Sequence, residues 1–243
     1  KVSAVPFHFW APDVYEGAPI PVTAFMATVV KIAAIAAFYK IFVLFEAMQG
    51  TWFTIVTAIV ILTLVVANIM AVFQVRVKRM LAYSSVSQVG YILLAFIATS
   101  SSSKGIILYY LAGYCVSTLV AFAVLHRVKE QLKGLMKRSP LLASAMSLAL
   151  LSLAGIPPLA GFFGKYFVLL SALNQGYLAL VLLAVAASLI GAFYYLRVIV
   201  SMFTADAEEP VSITISDRLY LILILLLLFI LALFPENLLM LLQ

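Results

Sequence analysis

Residues 141–173, LLASAMSLALLSLAGIPPLAGFFGKYFVLLSAL, constrain the fold more than any other stretch of the chain. The segment is apolar and longer than the about 20 residues that one bilayer crossing needs. Gly-Ile-Pro-Pro interrupts it, and its one charge is Lys165. A run of this length with a break over residues 155–161 predicts two half-helices joined by an irregular turn. Pro157 and Pro158 donate no backbone N–H and so release the carbonyls one turn earlier. Lipid offers those carbonyls nothing, so the break has to be buried in protein or line a wet cavity. Interrupted helices beside an ionisable side chain are how transporters build ion sites at the bilayer midplane, which makes Lys165 a candidate site residue.

The rest of the chain is of the same kind. Of its 243 residues, 66% are hydrophobic and 10% charged, against about 25% charged in soluble domains. This is an all-α polytopic membrane protein, with no stretch left for a sizeable extramembrane domain. The formal charge of +6 is not a nucleic-acid footprint, because most basic residues fall in two short loops. That is the distribution the positive-inside rule produces. Cys115 is the only cysteine, which excludes an internal disulfide and a cysteine-held iron–sulfur cluster. His8 and His126 lie far apart, no spacing suggests a metal or haem site, and no redox centre is visible.

In chain order, residues 1–17 read as the end of one membrane helix running into a loop punctuated by Pro6, Pro12 and Gly17. A span over residues 18–50 follows, with Lys31 about 16 Å along it at about 1.5 Å per residue, which is mid-bilayer. Its neighbours one turn away, Ala27, Thr28 and Ala34, are small enough to let a helix or water approach the ammonium. Residues 51–75 form a charge-free span ending in Arg76, Lys78 and Arg79. Residues 80–100 carry a polar stripe of Ser84, Gln88 and Tyr91 at helical spacing. After a serine-rich turn (Ser101, Ser102, Ser103), the next span repeats the device with Tyr110, Tyr114 and Ser117. Such stripes belong inside a bundle. Residues 127–138 form the second basic loop, and residues 177–203 a further span. A loop follows over residues 204–218 with Asp206, Glu208 and Glu209, and a last span over 219–243. The alternation puts both basic loops and the 204–218 loop on the cytoplasmic side and the C-terminus outside. The count is seven spans after a partial first one. Together with a start at Lys1 inside a motif, it reads as the C-terminal portion of a longer protein.

Three motifs carry a resemblance. KVSAVPFHFWAPDVYEGAPIPVTAFMATVVK at residues 1–31, MLAYSSVSQVGY at 80–91 and LAGIPPLAGFFGKYFV at 153–168 resemble the antiporter-like membrane subunits of respiratory complex I, the NADH-quinone oxidoreductase. PDVYEGAP is distinctive for one member over its sisters. The resemblance covers essentially the whole chain. It implies fourteen helices in two inverted five-helix repeats, each with one interrupted helix. This chain would hold the end of the seventh helix through the fourteenth, with residues 51–203 as the second repeat. Lys1 matches the family's lysine on the seventh helix, Lys31 that on the eighth and Lys165 that on the broken twelfth. His8 falls where the family carries a histidine near the central polar axis. The family's buried glutamate on the fifth helix lies outside this chain.

The resemblance further implies a proton-translocating subunit of a bacterial cytoplasmic membrane, driven by quinone reduction elsewhere in the complex. NADH, FMN, iron–sulfur clusters and quinone would sit on other subunits, with none of them on this chain. Its partners would be the other membrane subunits, sister antiporter-like subunits included, and the lipid bilayer, with no nucleic acid. An ammonium in a low-dielectric interior is penalised for its charge, which is what lets a buried lysine load and unload a proton. Lys1, Lys31 and Lys165 would be successive stations. Ser84, Gln88, Tyr91, Tyr110, Tyr114 and Ser117 would hold water between them. Blander readings stand beside these. Lys40 and Arg197, toward helix ends, read as snorkelling. His8 beside prolines can be a loop-stabilising hydrogen bonder or a relay, and the tyrosine stripe can be packing or water-lining. Asp13 and Glu16 cap or tie a helix entrance. Two rival functions remain at this level, a cation/proton antiporter subunit and a structural spacer that moves no ions.

Overall fold

The computed structural model describes residues 1–44, 49–98, 103–204, 210–211 and 213–242. The serine-rich turn at residues 99–102 and the acidic stretch at 205–209 lie outside the described residues, as does the expected end of the Lys31 span at 45–48. Everything described is helix or short connection. In order these are α1 (Trp10–Gly17), α2 (Ile20–Phe25), a π-helical segment (Met26–Val30), α3 (Lys31–Leu44), α4 (Gln49–Val72), α5 (Val77–Ile97) and α6 (Ser103–Val128). Then come α7 (Leu135–Arg138), α8 (Pro140–Ala154), α9 (Ala160–Asn174), α10 (Leu178–Thr204), α11 (Ile215–Leu233) and α12 (Pro235–Leu242).

Among the described residues, six helical stretches are long and apolar enough to cross a membrane. The apolar pair α8 and α9 is broken where the sequence places GIPP. Each half has 15 residues, about 22 Å at 1.5 Å per residue, so neither spans an about 30 Å hydrocarbon core alone.

Polarity is distributed inside out relative to a soluble protein. The outer faces of α4, α10 and α11 expose Leu62, Ile69, Leu182, Leu189, Phe193, Leu223 and Ile230. The buried set includes Thr63, Asn68, Ser84, Ser85, Ser87, Gln88, Ser117 and Thr118. Lipid is the solvent in which that arrangement is stable, because apolar faces lose nothing there and polar side chains must find partners within the bundle. At the centre stands α5, buried at every residue from Met80 to Ile97 and in contact with α1, α4, α6, α9 and α10. It carries the predicted polar stripe.

Three stretches differ from the sequence expectation. Residues 10–17, expected as loop, form α1, and no helix precedes it in the described residues from Lys1 onward. The loop expected over 204–218 is shorter, because Thr214 and Asp217 form a capping box that starts α11 at Ile215. The expected single last span over 219–243 divides after Leu233. Phe234 leaves helical geometry (φ −125, ψ 51), and Pro235, which has no N–H to continue α11, opens α12 against α6.

The basic residues of the first loop act as clamps. Glu16 at the end of α1 pairs with Arg76 at 2.5 Å and Arg79 at 2.6 Å, and Asp13 pairs with Arg79 at 2.8 Å. Lys78, buried, donates to the carbonyls of Ala18 (2.6 Å) and Glu16 (3.1 Å), with Glu130 3.4 Å away. This accords with reading Asp13 and Glu16 as ties at a helix entrance. Lys40 is exposed. Arg197 is also exposed and spends its guanidinium on the α4 C-terminus, donating to the carbonyls of Val72 and Gln74 at 2.8 Å each.

Two outcomes follow from this packing. At Gly161 a Cβ would fall on the Ser152 carbonyl, a backbone atom that cannot move aside, whereas at Gly17 it would meet nothing within 4 Å. Gly161→Ala in the full-length protein should therefore abolish folded protein in membranes, while Gly17→Ala should accumulate like wild type. The Glu16 carboxyl is held below the usual carboxylate range, first by its hydrogen bond from Arg79 and then by Arg76. A carboxylate depressed by folding contributes stability above its unfolded value and loses it as pH falls through the lower, folded value. Amide exchange of α1 should thus stay slow through the neutral range and rise only below the ordinary glutamate region. Glu16→Gln should show the fast exchange already at pH 7.

Candidate functional site

The broken helix builds the surroundings of the first buried lysine, Lys165. Gly155, at φ +84, ends α8 in a Schellman motif, its N–H on the Ser152 carbonyl at 3.0 Å and the Ile156 N–H on the Leu151 carbonyl at 3.1 Å. The two carbonyls left without helical donors by Pro157 and Pro158 are those of Leu153 and Ala154. Gln88 donates its Nε2 to the first at 3.0 Å. Lys165 donates its Nζ to the second at 2.8 Å, and Ser188 Oγ lies 3.3 Å from the same oxygen. Lys165 also reaches Ser188 Oγ at 2.9 Å and lies 4.8 Å from the centre of the Tyr91 ring. Its stem runs along Gly155, where a Cβ would meet Cδ at 2.8 Å. The break therefore both creates the acceptor for the ammonium and leaves room for its chain.

Lys31 repeats the design. It follows directly on the π-helical segment Met26–Val30, where the regular i→i−4 ladder is disturbed. Its Nζ donates to the Ser85 carbonyl at 2.8 Å and to Ser85 Oγ. Ser85 Oγ lies 2.9 Å from the Tyr114 hydroxyl, which donates to the Ala27 carbonyl of the π segment at 3.0 Å. The Tyr114 ring centre is 5.8 Å from Nζ. Thr28 donates to the Ala24 carbonyl at 2.7 Å, so the small residues around Lys31 are hydrogen-bonded or packed.

Among the described residues, each lysine is thus met by one backbone carbonyl, one serine hydroxyl and one tyrosine ring, and in neither case by a carboxylate. A hydroxyl accepts from an ammonium and donates to a neutral amine, so both protonation states keep a partner. An ion pair would fix the charge.

Beside the two lysines α5 supplies a side-chain network. Tyr110 donates to Gln88 Oε1 and stacks on Tyr91, with ring centres 6.3 Å apart. Tyr91 donates to the Ala184 carbonyl at 2.9 Å. Ser84 hydrogen-bonds Tyr195, which packs on Tyr194, and Tyr194 reaches Asn68 Oδ1 at 3.3 Å. The predicted residues Lys31, Lys165, Ser84, Gln88, Tyr91, Tyr110 and Tyr114 come together along one buried axis. Ser117 lies apart, 2.8 Å from both the Gly113 carbonyl and Ser152 Oγ, where it ties α6 to α8. Lys1 is exposed in a non-helical stretch and is not brought to the axis. His8 is buried against Phe9 and Tyr83, and its Nδ1 has no hydrogen-bond partner among the described residues.

Sequence reasoning missed Ser85, Ser188, Tyr195 and Asn68. Ser188 carried a signal, since it stands alone as a hydroxyl in the otherwise apolar stretch LALVLLAVAASLIGAF of α10. Ser85 carried none beyond its neighbour, because the stripe through Ser84 points along α5 and Ser85 points to α3 and α6.

Known proteins resemble this chain in sequence and in fold. Residues 1–191 match the family described as NADH:quinone oxidoreductase/Mrp antiporter, transmembrane. The chain is 44% identical over 221 residues to NADH-quinone oxidoreductase subunit N of Cytophaga hutchinsonii, covering 87% of this chain and 48% of that protein. It is 42% identical over 234 residues to subunit N of Rhodospirillum rubrum, covering 92% and 48%. The chain therefore spans about half the length of the curated relatives it matches. Among solved structures, a chain of respiratory complex I from Thermus thermophilus superposes with a TM-score of 0.86 at 38% identity, over 98% of this chain and 55% of that one. A chain of the Mrp complex from Dietzia superposes with 0.80 at 27% identity, over 86% and 40%.

The Tyr114 hydroxyl is the joint between Ser85 and the π segment. Tyr114→Phe leaves both the Ala27 carbonyl and the Ser85 hydroxyl short of a partner, which should cost about 1–3 kcal/mol. A lowered apparent melting temperature of the purified full-length protein, with Tyr39→Phe as an unaffected control, is the expected reading.

Proposed function

The chain belongs to the NADH:quinone oxidoreductase/Mrp antiporter transmembrane family, and on that footing we propose that it translocates protons in the membrane arm of a respiratory NADH-quinone oxidoreductase. The observation that carries the reading is the pair of buried lysines, each dressed by a carbonyl and a hydroxyl and, among the described residues, by no carboxylate. Such a group gains and loses a proton without leaving a buried atom unpartnered. Lys31 and Lys165 are the stations, and the Tyr110–Gln88 and Ser84–Tyr195 pairs lie between them. Lys1 and His8 are proposed as further members of the relay, although Lys1 is exposed and stands off the axis here.

The driving step is quinone reduction on other subunits, which also hold NADH, FMN and the iron–sulfur clusters. Its neighbours are the other membrane subunits, sister antiporter-like subunits included, in a bacterial cytoplasmic membrane with the C-terminus of this chain outside. In this reading residues 51–203 form the second inverted repeat. A cation/proton antiporter subunit is the second reading, favoured by the likeness to the Mrp complex chain. Sodium-dependent exchange without NADH oxidation distinguishes it. A spacer that moves no ions has no use for two buried lysines without counter-charges.

The test is NADH-driven proton uptake and NADH oxidation in inverted vesicles carrying Lys31→Ala or Lys165→Ala in the full-length protein, with assembly checked on native gels. Both rates should fall by at least about tenfold in an assembled complex, about 1.4 kcal/mol on the barrier, while Lys40→Ala behaves like wild type. Wild-type pumping in both lysine variants would sink the reading.

A further inference from the structure

Between the two basic loops, at one end of the bundle, lies a half-open cavity of about 550 Å³. Ligand sites run from about 300 to about 1,000 Å³. Arg76 comes to it from the first loop, Glu130 and Lys133 from the second, and Arg197 from α10. The cavity stands where the apolar spans end. Its wall includes Phe73 and Val75, just past the α4 C-terminus at Val72, and Arg197 lies near the end of α10 at Thr204. That is the level at which a bilayer changes from hydrocarbon to headgroups.

The charge around it is unbalanced. Glu130 lies 3.4 Å from Lys78, and Arg76 is held at 2.5 Å by Glu16, which it shares with Arg79. Lys133 and Arg197 have no carboxylate partner among the described residues. Arg197 is nonetheless fixed, since its bonds to the carbonyls of Val72 and Gln74 clamp the guanidinium on the α4 C-terminus and leave further N–H groups unused. A planar cation held still with spare donors suits phosphate oxygens. The surfaces leading to the cavity are of the opposite kind. Phe73 is 73% exposed and continues the exposed line of Leu62 and Ile69 along α4. Phe193 and Val200, one turn to either side of Arg197, are exposed on the same face of α10, which packs beside α4.

We infer that this cavity binds the headgroup of an anionic phospholipid from the leaflet at the basic-loop end, with its phosphate between Lys133 and Arg197 and its acyl chains along Phe73 and Phe193. Basic pockets between membrane helices recognise such headgroups. Both halves of the ligand are needed to match both halves of the site. A free phosphate uses the cations and leaves the exposed apolar faces uncovered, and a zwitterionic lipid brings an ammonium to cations that lack a counter-charge. Bound there, the lipid ties the two basic loops to the ends of α4 and α10 from outside the bundle. The site is separate from the buried lysines and stands whether or not they carry protons.

The experiment uses the assembled complex with the full-length protein, in nanodiscs of phosphatidylcholine containing phosphatidylglycerol. A high-resolution density map should show a headgroup within reach of Lys133 and Arg197, with chain density along Phe73 and Phe193. A photoactivatable phosphatidylglycerol should crosslink to the peptides carrying Phe73 and Phe193, and unlabelled phosphatidylglycerol should compete with it where phosphatidylcholine does not. Lys133→Gln with Arg197→Gln should lower that crosslinking by about tenfold or more. Lys40→Gln with Lys104→Gln removes the same charge at the opposite end of the bundle and should leave it unchanged. An empty cavity, protein density filling it, or a compact density without chains that persists in lipid-free phosphate buffer overturns the site. So does equal crosslinking of a photoactivatable phosphatidylcholine, or undiminished crosslinking in the Lys133 and Arg197 double variant. If that variant fails to assemble, the wild-type map and Lys133→Gln, in an exposed connection, decide alone, an empty map or full crosslinking in Lys133→Gln overturning it.

Discussion

Two backbone carbonyls that no helix can satisfy govern this structure. Pro157 and Pro158 strip the donors from Leu153 and Ala154 in the interior of a membrane protein, where an unpaired backbone group costs several kcal/mol. The bundle meets that cost with side chains from three other helices, Gln88 of α5, Lys165 of α9 and Ser188 of α10. Each contact has a second consequence. Gln88 is held with its oxygen free for Tyr110, Lys165 is fixed against the break with no counter-ion among the described residues, and Ser188 is placed to serve the amine as well as the carbonyl. The break is thus the origin of the site's geometry rather than a defect beside it.

The same logic runs through Lys31 with different means. There the disturbance is a π-helical segment in place of a proline pair, and the carbonyl that gains an extra donor is Ala27, reached by Tyr114. The lysine turns to a carbonyl of the neighbouring α5 and to the hydroxyl of the same residue, Ser85. Two interruptions of unlike geometry arrive at one chemical solution. What they share is a helix loosened beside a lysine, a neighbour fully buried and rigid, and hydroxyls that accept or donate as needed.

Much of this was legible in the chain and some was not. The interrupted crossing, Lys31, Lys165 and the Ser84–Gln88–Tyr91 stripe could be read because apolar length, proline chemistry and helical spacing are properties of a single segment. Ser85 and Ser188 could not be placed as partners, because which lysine a serine meets depends on how two helices rotate against each other, and periodicity carries no such information. The boundaries of α11 were missed for a local reason that was present in the sequence. Thr214 and Asp217 stand three apart, a capping-box spacing with aspartate in place of the usual glutamate or glutamine, which moves the helix start to Ile215. The loop expected over residues 10–17 erred by weighing Pro12 as a breaker, although proline is at home in the first turn of a helix such as α1.

Among the described residues no carboxylate contacts either lysine. The acidic side chains among the described residues, Asp13, Glu16, Glu130, Asp217 and Glu236, sit at helix ends or in connections, several of them already paired with arginine or lysine. A unit charge appearing about 10 Å from a buried ammonium contributes roughly 1.7 kcal/mol at an effective dielectric of about 20, slightly more than one tenfold step in proton affinity. A contact ion pair at about 4 Å would contribute roughly 4 kcal/mol and pin the proton in place. With hydroxyls and carbonyls as its described partners, each lysine stays responsive to a charge about one helix diameter away.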